Sequence, residues 1–180
     1  MALGLARAGV RVVATAAREF AEIEAVAAEG AAGRIVPLRA DVTRAEDAQH
    51  LVASTLERFG RLDILVNNAG RGMKYVSETF MTQPTRFWEV EPATWRMVID
   101  TNVNGPFFMT RAAVPPMLRA GWGRIVNISM NQSTMCRAGF SPYGPRRRPW
   151  SPRRSSGLRI CIGSGVTSTP CYPAAPPSPG

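Results

Sequence analysis

The sequence predicts an α/β fold in which helices cover both faces of a doubly wound parallel sheet. Three observations lead there. Helix-patterned and strand-patterned segments alternate through residues 1–129. The strand segments, such as VRVVATA at 10–16 and LDILV at 62–66, are nearly all apolar, which suits strands buried on both faces. Polar and glycine residues gather where these strands end, the edge at which such sheets bind ligands.

The elements follow in order. Residues 1–8 are Ala/Leu-rich and helical, and Gly9 stops the helix. VRVVATA is a β-branched strand. EFAEIEAVAAEG (19–30) is an amphipathic helix ended by Gly30, and RIVPLRADV (34–42) is the next strand. Thr43 and Glu46 have the spacing of a capping box for a helix over 44–60. LDILVNNAG (62–70) is a strand running into a turn, and 71–93 is irregular. Residues 94–120 carry a helical pattern, with interruptions predicted at Gly105-Pro106 and Pro115-Pro116. GRIVNIS (123–129) is a further strand. Right-handed crossovers between these strands give a sheet of Rossmann type. Its strand ends are Ala16-Ala17-Arg18, Asp41-Val42, Asn67-Asn68-Ala69-Gly70 and Ser129.

Composition narrows the function classes. The 180 residues suit one domain, and no run of 18 apolar residues points to a membrane span. The opening MALGLARAGVRVV lacks the pattern of a secretion signal, so a cytoplasmic location is expected. Three scattered cysteines and one histidine predict neither a disulfide framework nor a metal site. The formal charge of +9 suggests nucleic acid, but residues 1–143 carry only +3 of it. Residues 144–180 hold six arginines, no acid and 8 of the 15 prolines. The chain therefore divides into a domain at 1–145 and an Arg/Pro-rich tail at 146–180 that is expected to lie outside the fold. No nucleic-acid partner is expected.

Five motifs stand in order on the right elements: Asp41-Val42-Thr43, Asn67-Asn68-Ala69-Gly70, Asp100-Thr101-Asn102-Val103-Asn104-Gly105, Gly123–Ser129 and Phe140-Ser141-Pro142-Tyr143-Gly144-Pro145. Together they resemble the short-chain dehydrogenase/reductase family over residues 1–145. The resemblance implies an NAD(P)-dependent oxidoreductase acting on a small alcohol or carbonyl compound, and a homo-oligomer in complete family members. Hydride transfer at a carbinol carbon needs a proton moved on or off oxygen. A tyrosine can do this once its pKa is brought down from about 10 toward neutrality. The resemblance gives that role to Tyr143 and substrate-oxygen binding to Ser129. It gives a relay-water role to Asn102 and the family's lysine position to Arg147. It sets Asp41 and Val42 against the adenine and the backbone of Asn68, Ala69 and Gly70 along the cofactor cleft. The family's usual serine spacing falls on Met130, so Ser129 and Ser133 both stand near it. The resemblance places VRVVATA at the family's second strand; it ends Thr15-Ala16-Ala17-Arg18 with no acid and with Arg18 close, which leans toward NADP.

The chain also departs from the family. The family's first strand and its Gly-rich phosphate turn have no counterpart upstream of ALGLARAGVRVV. Arginine replaces lysine at 147, and nothing after Pro145 resembles the family. The sheet is therefore expected to be incomplete, lacking its first and its C-terminal strand. With suitably chosen codons, a one-base shift of frame can turn TSTPCYPAAPPSPG into DVNALLPGGPALTG, a family-like segment, so the tail is expected to be out-of-frame translation, the alternative being a native basic, Pro-rich extension. Sequencing the coding DNA decides this. These departures keep a second reading open: a catalytically inactive fragment, or an interaction protein, that retains part of the fold. The loop 71–94, with Met73, Tyr75, Phe80, Met81, Phe87 and Trp88, either shapes an apolar substrate pocket or makes a subunit contact.

Overall fold

A computed structural model describes residues 1–30, 33–129 and 165–171, and among these described residues the chain forms five α-helices and five strands. They are α1 (Ala2–Arg7), β1 (Val12–Ala16), α2 (Phe20–Glu29), β2 (Ile35–Arg39), α3 (Ala45–Phe59), β3 (Ile64–Asn67), α4 (Pro92–Ile99), α5 (Gly105–Arg119), β4 (Gly123–Ile128) and β5 (Val166–Cys171). The loop before α4 holds two short 3-10 turns, Met73–Tyr75 and Phe87–Glu89. Every strand pair is parallel. The strands form two pieces, β1-β2 and β3-β4-β5. A cavity of about 760 Å³ separates β1 from β3.

The expectation of a missing C-terminal strand is corrected. β5 lies along β4 with Gly123 opposite Val166 and Ile128 opposite Cys171, so residues 166–171 of the expected tail belong to the sheet. Strand pairing is made by backbone groups, which the tail's composition does not reveal. β5 ends its order as an edge strand, where Pro170 is tolerated because one side needs no N–H.

The core lies between the three-stranded piece and the helices α3 and α5. Val52, Leu65, Ala113, Met117, Ile125 and Val166 form one buried cluster. Burying side chains of this kind contributes roughly 1.5–3 kcal/mol each. Gly123 is needed for that packing, since a Cβ there would lie 2.6 Å from Met117 Sδ. Gly60 ends α3 in the left-handed conformation at φ 74°, its N–H bonded to the Leu56 carbonyl.

Three local expectations change. Thr43 does not cap α3: its N–H and hydroxyl both donate to Asp41 Oδ1, at 2.9 and 2.7 Å. Asp47 in the first turn of α3 instead accepts the Asp41 N–H at 2.8 Å. Gly105-Pro106 does interrupt the helical run, but as a π-helical turn over Asp100–Asn104. Proline 106 has no N–H, so the Asn102 carbonyl loses its α-helical donor and the turn widens, with Gly105 N–H reaching Asp100 O. Pro115 and Pro116 do not break α5, which runs on to Arg119.

Candidate active site

The carboxyl ends of the strands bring the candidate residues to one rim. The register that sets Asn67 opposite Asn127 puts Asn68, Ala69 and Gly70 level with Ile128 and Ser129. Asn68, Ala69 and Gly70 are exposed, whereas Ser129 is buried directly after β4. Val42, just beyond β2, packs against the start of α5: a Cβ on Gly105 would come 3.0 Å from Val42 Cγ2. Asp41 is held on both sides, by Thr43 and by its N–H bond to Asp47, so its carboxylate shapes the turn that presents Val42. Arg18 is exposed after β1. Tyr143, Arg147 and Ser133 lie outside the described residues.

Asn102 sits in the π-helical turn with 5 % of its surface exposed. Its Oδ1 accepts the Arg71 N–H at 2.8 Å, and its Nδ2 donates to Arg71 O at 3.1 Å and Val98 O at 2.7 Å. Arg71 follows Gly70, so Asn102 fixes the chain leaving the strand-end turn. The guanidinium of Arg71 donates to Thr101 Oγ1 at 3.1 Å and lies 4.9 Å from the Tyr75 ring centre. Thr101 in turn donates to Met97 O at 3.0 Å. The widened turn and the strand-end loop are thereby one hydrogen-bonded unit.

A second polar network lies beneath the rim. Asn67 Nδ2 donates to the buried Asn127 Oδ1 at 2.8 Å, and Asn127 Nδ2 donates to Ser168 Oγ at 3.2 Å. The chain of side chains crosses β3, β4 and β5 and ties their register together. It satisfies amides that burial would otherwise penalise.

Sequence reasoning missed three residues. Arg39, at the end of β2, lies over the Phe20 ring at 4.7 Å and donates to Ala17 O at 3.4 Å, which carries its guanidinium to the turn holding Arg18. A cation at a strand end facing an aromatic helix start was the available signal. Thr15 lines the cavity with a buried hydroxyl that has no hydrogen-bond partner among the described residues. Asn127 was read only as part of a strand. Among the described residues no group of three or more His, Cys, Asp or Glu side chains is placed to hold a metal ion. None of the described helices is long and apolar enough to cross a membrane.

A parallel sheet with polar turns at its carboxyl rim defines a Rossmann-type protein. The profile of the family described as short chain dehydrogenase matches residues 1–145, and the chain belongs to that family. It is 35% identical over 144 residues to a 3-oxoacyl-[acyl-carrier-protein] reductase of a Synechocystis strain, covering 79% of this chain and 54% of that protein. It is 34% identical over 128 residues to a D-beta-hydroxybutyrate dehydrogenase of Rhizobium meliloti, covering 69% and 46%. The chain thus spans about half the length of these curated relatives. A solved short-chain dehydrogenase from Streptomyces avermitilis superposes with TM-score 0.80 at 30% identity, over 96% of this chain and 60% of that one. A metagenomic short-chain oxidoreductase solved in complex with NADP superposes with TM-score 0.83 at 26% identity, over 97% and 75%.

Proposed function

We propose that this chain carries the site of an NAD(P)-dependent alcohol/carbonyl oxidoreductase, with NADP preferred. The carrying observation is the union of the Asn102 turn with the Asn68–Gly70 rim, beside buried Ser129. The fit of a dinucleotide is supported by the cleft's own groups: exposed backbone at Asn68, Ala69 and Gly70, and the unsatisfied Thr15 hydroxyl. Arg18 and Arg39 supply positive charge at the end of β1, where a 2′-phosphate would be recognised. When bound, the nicotinamide supplies or takes the hydride. The chain's residues do the rest. Ser129 holds the substrate oxygen, and Tyr143 gives or takes its proton. Arg147, at the family's lysine position, supplies a positive charge that favours the ionised form of the phenol. The Asn102 carbonyl, deprived of its α-helical donor by Pro106, holds a relay water. The substrate is a small alcohol or carbonyl compound, and the protein assembles with its own copies.

One observation favours a second reading, a non-catalytic partial fold: among the described residues the sheet is discontinuous between β1 and β3. Titration of the purified chain with NADPH, followed by turnover of a carbonyl panel in the wild type and in Tyr143→Phe, separates the two. Saturable binding with turnover lost in Tyr143→Phe supports the oxidoreductase. Absence of NADPH binding supports the partial fold.

A further inference from the structure

The loop between β3 and α4 carries exposed aromatic rings that the rim chemistry above does not use. Tyr75, Phe87 and Trp88 each keep more than half of their surface in water. Their attachments differ. Phe87 and Trp88 meet edge to face at 5.1 Å, Arg86 lies over the Trp88 ring at 5.6 Å, and Arg86 pairs with Glu89. These ties are local to residues 86–89.

Tyr75 is tied to the rim instead. Arg71 leaves Gly70 at the level of Ser129, and its guanidinium carbon lies 4.9 Å from the centre of the Tyr75 ring. The same guanidinium donates to Thr101 Oγ1, and both backbone groups of Arg71 are bonded to the Asn102 side chain. The chain between Arg71 and Tyr75 is fixed as well. Met73 is buried to 3%, and the Tyr75 and Val76 N–H groups close the 3-10 turn on Gly72 O and Met73 O at 3.2 and 2.8 Å. The ring is thus held by its backbone from one direction and by a cation from another. What remains open is a flat apolar face, in a side chain 51% exposed, joined through one residue to the Asn102 turn.

Resting on the oxidoreductase reading, the geometry points to Tyr75 as the residue that selects the substrate, with aryl ketones and aldehydes, and the corresponding alcohols, as the class selected. The aryl group lies on the open Tyr75 face while the carbonyl oxygen reaches Ser129 and Tyr143. Two aromatic rings attract beyond the area that they bury, in offset-stacked or edge-to-face arrangements. A saturated ring of the same size buries similar area without that added attraction. Tyr75 is already held in place, so little side-chain freedom is lost when a substrate packs on it. Of the two roles open to the 71–94 loop, pocket wall or subunit contact, Tyr75 takes the first.

The test compares acetophenone with cyclohexyl methyl ketone, which match in size and differ in aromaticity. The full chain reduces each with NADPH, and kcat and KM are measured separately. Tyr75→Leu keeps an apolar side chain and removes the ring. It should lower the acetophenone-to-cyclohexyl ratio of kcat/KM about fivefold, through a higher KM for acetophenone. Tyr75→Phe, which keeps the ring, should restore the ratio. Circular dichroism verifies that both variants fold. An unchanged ratio in Tyr75→Leu, with both ketones turned over, overturns the assignment of Tyr75 and leaves the oxidoreductase reading standing. So does an equal loss for both ketones accompanied by a smaller assembly in size-exclusion chromatography, which makes Tyr75 a subunit contact. Absence of turnover in the wild type overturns the oxidoreductase reading and this assignment with it.

Discussion

Asn102 holds both backbone groups of Arg71, accepting its N–H at 2.8 Å and donating to its carbonyl at 3.1 Å. A side-chain amide here does what a neighbouring strand would do. It joins a π-helical turn to the chain leaving the Asn68–Gly70 rim, across 31 positions of sequence. The remaining Nδ2 proton goes to Val98 O at 2.7 Å, so the amide is anchored in its own helix as well.

Replacing Asn102 by Ala removes these bonds at a site that is almost fully buried. The expected loss is about 1–3 kcal/mol of stability, because the freed backbone groups of Arg71 lose their partner out of reach of bulk water. Urea denaturation measures it, and faster exchange of the Arg71 amide reports the loosened rim. Asn102→Asp should be at least as damaging, since it points a carboxylate at two carbonyl oxygens.

Asn67 and Asn127 are expected to behave as a coupled pair. Each alanine substitution alone leaves the other amide buried with an unmet group. The double mutant should therefore cost less than the two singles together, with a coupling of about 0.5–3 kcal/mol in a double-mutant cycle. Ser168→Ala should destabilise more mildly, by roughly 0.5–1.5 kcal/mol.

Gly123→Ala places a methyl against the fully buried Met117. The expected destabilisation is about 1–3 kcal/mol, the range for an overpacked core. Thermal melting of the single mutant and of Gly123→Ala/Met117→Val tests the cause: the smaller side chain should recover part of the loss.

Arg39→Met should weaken binding of adenosine 2′,5′-bisphosphate about tenfold, leaving adenosine 5′-phosphate nearly unchanged. Such a selective loss, about 1.4 kcal/mol, is of the size of one charge-assisted hydrogen bond. Arg18→Met should act in the same direction. Equal loss for both nucleotides would assign Arg39 a packing role over Phe20 instead.

Most of the fold was legible because its signals are local. The apolar runs at 10–16 and 123–129, the stops at Gly9 and Gly30 and the helical repeat over 44–60 each act within a few residues, and the elements stand where they predict. The rim motifs were legible for the same reason: Asn68, Ala69, Gly70 and Ser129 each follow a strand. The capping box at Thr43 misled because Asp41, two residues earlier, competes for the same donors. Arg39 was obscured because a strand-end arginine reads as solvated until Phe20 is placed beneath it.

By itself, then, the sequence determined the alternation of helices and strands, the parallel sheet and the residues at its carboxyl rim. These rest on periodicity and chain connectivity. Tertiary structure alone decided that 166–171 joins the sheet and that β1 and β3 stand apart around a cavity. It also decided that Asn67 meets Asn127 and Asn102 meets Arg71. The reason is physical: strand pairing and buried side-chain hydrogen bonds join groups far apart in the chain, and no local pattern encodes which distant group will arrive.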